Sequence, residues 1–171
     1  MSKKKLGFTL IELMVSVTIV LILVGIGSYS INNFIQSKEM YGVRDEVSAQ
    51  IKLARSLATT NQLPDKTTDL KYVRVSFSGK IITIEAVKND GEVETGSPYF
   101  SKDLELDENV SISILDGVTA VTSFGFLGKS GRLVDINGVT IAGPIIVTVS
   151  NVVNSKSFKI NDLGIINNNE D

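Results

Sequence analysis

Cysteine, histidine and tryptophan are all missing from this chain of 171 residues. Without cysteine there are no disulfides to staple the fold, even in a compartment that permits them, and no thiolate metal sites. Without histidine the imidazole ligand and the usual general base at neutral pH are gone as well. Charge is missing over one long stretch, because no Asp, Glu, Lys or Arg stands between Glu12 and Lys38. An excess of basic residues is also lacking. The formal charge is −2, and loss of Lys3, Lys4 and Lys5 would take lysine plus arginine from 17 to 14 against 19 acids, giving −5. Such a balance offers no electrostatic case for sequence-independent nucleic-acid binding.

The N-terminus is where the sequence says most. Lys3, Lys4 and Lys5 lead into Gly7-Phe8-Thr9-Leu10-Ile11-Glu12, and the run from Phe8 to Gly27 is apolar around that one acid. Its length, about 30 Å as a helix, matches the hydrocarbon thickness of a bilayer. Basic residues before it and none closely after it place the N-terminus in the cytoplasm and the rest across the membrane. A carboxylate at the bilayer centre costs about 2.5–3.5 kcal/mol, less near the start of a span, so Glu12 reads as functional and in need of a positive partner. No residue of its own apolar segment supplies one. A secretory signal peptide shares the basic start, with Gly25-Ile26-Gly27-Ser28 as a cleavage site and a soluble domain released after Gly27. The length of the apolar run and the carboxylate inside it argue against that reading.

Gly25 and Gly27 weaken the helix or let other helices pack closely, and the pattern leaves both roles open. From 31 to 63 the sequence becomes amphipathic, with Met40, Val43, Val47, Ile51, Ala54 and Ala58 on one narrow stripe that packs on the chain's own domain. Lys38, Asp45, Ser48, Lys52 and Ser56 point elsewhere, and Asn61-Gln62-Leu63-Pro64 stops the helix. The expectation is one helix of about 50 residues, its first half (8–30) in lipid and its second half on a sheet.

After residue 69 the pattern is that of strands. Val73, Val75 and Phe77 alternate along Lys71–Phe77, and Ser78-Gly79-Lys80 turns into Ile81–Val87. Further strands are expected at Tyr99–Leu106, Val110–Leu115, Thr119–Phe126, Arg132–Ile136, Ile145–Val149 and Ser157–Asn161. Connections this short leave no room for crossover helices, so the sheet is antiparallel, as one sheet or a two-sheet sandwich spanning 69–166. Residues 167–171 read as a flexible tail. The fold class is α+β.

Candidate chemistry is sparse. Gly128-Lys129-Ser130 has Ser123 where a phosphate-binding loop needs glycine, and reads as a hairpin turn. Asp65, Asp69, Asp103, Asp107 and Asp116 lack the alternation of a calcium loop. No spacing places a base beside a nucleophile. No catalytic residue, cofactor or metal site is expected, and the chain does not read as an enzyme.

Gly7-Phe8-Thr9-Leu10-Ile11-Glu12-Leu13 resembles the N-terminus of type IV prepilins and of the pseudopilins of type II secretion. The resemblance implies a pilin-like fold and cleavage after Gly7 by a prepilin peptidase that also N-methylates Phe8. It makes Glu12 the acidic position that sets axial register in the fibre. The Phe8 amine lies four residues from Glu12 on one helix, and an amine from a neighbouring subunit offers a second partner. Phe8, Leu10, Ile11 and Leu13 would pack the filament core. Leu53-Ala54-Arg55 with Ala58, Phe124-Gly125-Phe126 leading to Gly131, and Phe158-Lys159-Ile160 leading to Gly164-Ile165 are similar to the GspH/FimT-like minor pilins. Where the family often has a proline beyond the membrane half, Tyr29 stands in this chain. The implied partners are other pilins or pseudopilins, an inner-membrane assembly platform and the membrane itself. The implied location is the inner membrane as a single-pass protein with its β domain outside, then the fibre. The alternatives within the resemblance are a DNA-binding minor pilin of uptake machinery and a major pilin.

Overall fold

A computed structural model describes residues 9–60, 70–93, 100–104 and 109–167, apart from the side chains of 27–30, 32, 33 and 100. The helix stop at 61–64 expected from Pro64 lies outside these residues, as do 168–171 of the expected tail. The described chain forms an α+β fold of one long helix, α1 (Leu10–Thr60), followed by ten strands. It divides into two compact units, Met1–Lys38 and Glu39–Asp171.

The first unit is the N-terminal part of α1. Its large aliphatic side chains from Leu10 to Ile26 are exposed on every side, from 50 % at Val17 to 77 % at Leu10. A helix apolar all round cannot be satisfied by one buried face. Among the described residues no helix is long and apolar enough to cross a membrane. The described apolar run, Leu10 to Ile26, measures about 25 Å at 1.5 Å per residue, against a hydrocarbon core of about 30 Å. Phe8, where the expected span begins, lies outside the described residues.

In the second unit two antiparallel sheets and the C-terminal part of α1 share one core. The first sheet has the order β3 (Phe100–Asp103), β2 (Ile81–Lys88), β1 (Leu70–Ser78), β6 (Ser123–Leu127), β7 (Leu133–Val134). The second has the order β10 (Ile166–Asn167), β9 (Ser155–Ile160), β8 (Ile145–Ser150), β4 (Ser111–Asp116), β5 (Thr119–Ala120). Gly79, at φ +60°, takes the first position of the two-residue turn that pairs Ser78 with Ile81, a position that favours glycine. Period-two burial is clearest in β8, where Ile145, Val147 and Val149 are fully buried and Ile146, Thr148 and Ser150 are not.

From α1, Met40, Val47, Ile51, Ala54 and Ala58 enter this core with no exposed surface, and Val43 packs against it half-buried. Ser48 does not point away from the domain as the narrow stripe suggested; it is 2 % exposed, and Arg44 is 8 % exposed. The buried face is wider than one stripe because a helix lying on two sheets contacts them over more than a single row of side chains. Arg44 keeps its charge satisfied through Asp45, with Nε and Nη2 at 3.1 and 2.8 Å from Oδ1, and lies 5.0 Å from the centre of the Tyr41 ring.

The expected single strand Thr119–Phe126 is two. Thr119–Ala120 pairs with β4 in one sheet and Ser123–Leu127 pairs with β1 in the other, so the chain changes sheets at Val121-Thr122. Beyond the expected last strand, β10 pairs Ile166 with Ile160 and Asn167 with Lys159, which takes Asn167 out of the tail. On the outer face of the first sheet the Tyr72 ring packs closely against Gly125. A Cβ there would stand 2.7 Å from the Tyr72 ring and 2.9 Å from the Val73 carbonyl. Glycine between Phe124 and Phe126, both fully buried, therefore leaves room for an aromatic cover on the opposite face.

Candidate functional site

The site begins where α1 begins. Thr9 stands at the N-cap, its carbonyl accepting the first helical bond from the Leu13 amide at 3.2 Å. Its hydroxyl oxygen accepts from the Glu12 amide at 3.4 Å, while Glu12 Oε2 accepts from the Thr9 amide at 3.0 Å and from the Thr9 hydroxyl at 2.9 Å. This is a capping box, Thr-x-x-Glu, which reciprocally satisfies donors that the first turn leaves open. Glu12 is also the one acid in the first turn, where the positive end of the helix dipole favours it.

The capping role of Thr9 escaped the sequence reading, which treated Glu12 only as an acid waiting for a cation. The Thr9-Leu10-Ile11-Glu12 spacing was its available signal. The carboxylate is turned back onto Thr9, toward the N-terminal end of the helix. Gly7 and Phe8, the expected processing residues, lie outside the described residues. Two other polar groups in the apolar run are also internally satisfied. The Ser16 hydroxyl donates to the Glu12 carbonyl at 2.7 Å and the Thr18 hydroxyl to the Met14 carbonyl at 2.8 Å.

A second constellation gathers at the other end of α1. The Lys129 amide donates to the Ala58 carbonyl at 2.9 Å, giving an open carbonyl of the last turn a partner. Arg55 Nη2 donates to the Leu163 carbonyl at 3.1 Å. Gly131 and Gly164, both at positive φ, close around it: a Cβ on Gly164 would lie 2.3 Å from the Gly131 carbonyl oxygen and 3.0 Å from Arg55 Nε. Arg55, Gly131 and Gly164, which come from three separated stretches, therefore meet in one place. The remaining pieces of those stretches serve the core: Ala54, Ala58, Phe124, Phe126, Phe158 and Ile160 are fully buried.

Among the described residues no group of three or more acidic side chains is placed to hold a metal ion. Elsewhere, burial pushes the Tyr72 phenol above its ordinary value, and its hydroxyl donates to the Ile136 carbonyl at 2.6 Å.

Compared with known families, residues 2–28 match the prokaryotic N-terminal methylation motif, which marks type IV pilin-like substrates of prepilin peptidase. The proteins that carry it are structural subunits. No curated protein and no solved structure matches the chain.

Proposed function

We propose that this chain is a minor pilin or pseudopilin of the GspH/FimT-like kind, a structural subunit of a type IV pilus or type II secretion pseudopilus. Prepilin peptidase removes residues 1–7 on the cytoplasmic side and methylates the new amine of Phe8. The segment from Phe8 to Gly27 then holds the subunit in the inner membrane, with the β domain outside, until an assembly platform extracts it into the fibre. There it packs against the same segment of other subunits, near the tip or in the initiating complex.

One observation carries this reading: a single carboxylate is fixed at the N-terminal turn of a helix whose large aliphatic side chains from Leu10 to Ile26 are exposed all round. Oε2 receives both bonds from Thr9, and a carboxylate has acceptor capacity to spare, so Oε1 can take a cationic amine. Methylation leaves that amine charged. Surrounded by apolar side chains, the unpaired ions are worse than the pair, so each subunit settles where its amine finds a carboxylate.

The test is mass spectrometry of the mature protein from membranes of its own host. N-methylphenylalanine at position 8 is the expected terminus. A retained leader through Gly7, or a start at Ser28, would overturn the proposal.

A further inference from the structure

The clamp around Arg55 borders a cleft of about 400 Å³, lined by Lys52, Arg55, Ser56 and Thr59 of α1 and by Ile165 and Ile166 before and within β10. Lys52 and Arg55 are three residues apart, so one face of the helix presents both to it. Among other cations of this domain Lys71 donates to the Asn137 carbonyl, and several have acidic partners: Arg44 with Asp45, Arg74 with Glu85, Lys102 with Glu46, and Arg132 with Asp162. Among the described residues Lys52 and Arg55 have none, and Asp162, in the turn that leads to the cleft, faces Arg132 instead. Arg55 Nε is moreover shielded from water with no hydrogen-bond partner. The guanidinium is thus partly desolvated while, among the described residues, the Leu163 carbonyl alone answers its charge. Thr59 donates its hydroxyl to the carbonyls of Arg55 and Ser56, so the cations dominate the polar side of the cleft.

We infer that this cleft receives an aspartate or glutamate side chain from a neighbouring subunit. This rests on the fibre reading above. Two cations suit one carboxylate, and Ile165 and Ile166 offer apolar wall to its aliphatic stem. A nucleic-acid strand fits poorly, since among the described residues the cleft is lined by no aromatic side chain for bases to stack on. With 14 basic against 19 acidic residues after loss of Lys3, Lys4 and Lys5, a second copy of this chain itself offers carboxylates in excess. The guanidinium lies close against Gly131 and Gly164 and is tethered to the Leu163 carbonyl, so the Arg55 half of the site is already positioned and a partner loses less freedom in filling it.

The test is carbodiimide coupling, which joins a carboxylate directly to an amine, on cells assembling the full-length chain. An isopeptide bond from Lys52 to an Asp or Glu of a different polypeptide is expected in the higher-mass product. In Lys52→Arg, which keeps the charge but not the amine, the bond is lost while incorporation into fibres is retained. In Lys52→Glu, incorporation falls at least tenfold with the fold intact by circular dichroism. Coupling of Lys52 within its own chain, for example to Asp65 or Asp69, overturns the proposal, as does normal incorporation of Lys52→Glu. Retention of a labelled oligonucleotide that Lys52→Glu abolishes also overturns it. If the wild-type chain enters fibres with a methylated Phe8 but Lys52 forms no link, the cleft fails alone. If the chain never enters fibres, the fibre reading fails first.

Discussion

Along α1, the stretch from Leu10 to Ile26 and the stretch from Met40 to Ala58 draw on similar aliphatic side chains, yet the first leaves all of its large ones at least half exposed and the second buries a face completely. The difference lies in arrangement. In the second stretch Lys52, Asp45 and other polar residues occupy the outward positions, and the apolar residues recur at a helical spacing that the two sheets can cover. In the first no outward side exists, since consecutive residues such as Leu21, Ile22, Leu23 and Val24 are all apolar and together go round the axis. Burying one such side chain is worth about 1.5–3 kcal/mol, so a whole exposed segment represents a large unmet demand for apolar surroundings. One helix is therefore written for two environments.

That contrast is most directly challenged by a matched pair of truncations. Ile51→Ala, at a fully buried position, is expected to destabilise the domain by about 2–5 kcal/mol through lost burial and the cavity left behind. Val20→Ala, at a 57 % exposed position, should change the domain by less than about 0.5 kcal/mol. Urea unfolding of the full chain in detergent measures both. Equal losses would erase the distinction between the two stretches.

A smaller effect sharpens the buried side. Tyr72→Phe removes the hydroxyl bond to the Ile136 carbonyl and is expected to cost about 1 kcal/mol. Because burial raises the Tyr72 pKa, the folded state holds its proton where the unfolded state has begun to lose it. Its contribution is therefore complete below the unfolded value of about 10 and is lost as pH rises through the folded value. Stability measured across the alkaline range should fall more steeply for the wild type than for Tyr72→Phe. Parallel curves would show that the phenol is not desolvated.

The smallest effect lies on the exposed side. Thr9→Ala should loosen the first turn, raising hydrogen exchange several-fold at the Glu12 and Leu13 amides, while Thr9→Ser retains protection. The thermal transition of the β domain should not move in either variant. Unchanged exchange in Thr9→Ala would mean the cap does not hold Glu12.

Much of the architecture was legible because it depends on local patterns. Ser78-Gly79-Lys80 states a hairpin by turn chemistry, and Ile145–Val149 states a strand by alternation. What was hidden depends on partners distant in sequence. Nothing in Thr119–Phe126 reveals that the chain leaves one sheet for the other at Val121, because both halves have strand-like composition. Ser48 looks like an outward residue until two sheets are laid against the helix. At the N-terminus the acid was visible, but its tie to Thr9 requires reading spacing as capping rather than as motif. The meeting of Arg55, Gly131 and Gly164 follows only from the tertiary fold, since single glycines read simply as turns.

The hydroxyls of Ser16 and Thr18 carry one more implication. Each is already tethered to a carbonyl four positions earlier in its own coil. Passing from one greasy milieu to another would rupture neither tether, so migration leaves those dipoles indifferent to which neighbours they meet. On the fibre reading, it is the acid at position 12, among the described polar groups from Leu10 to Ile26, that would exchange a companion along the way.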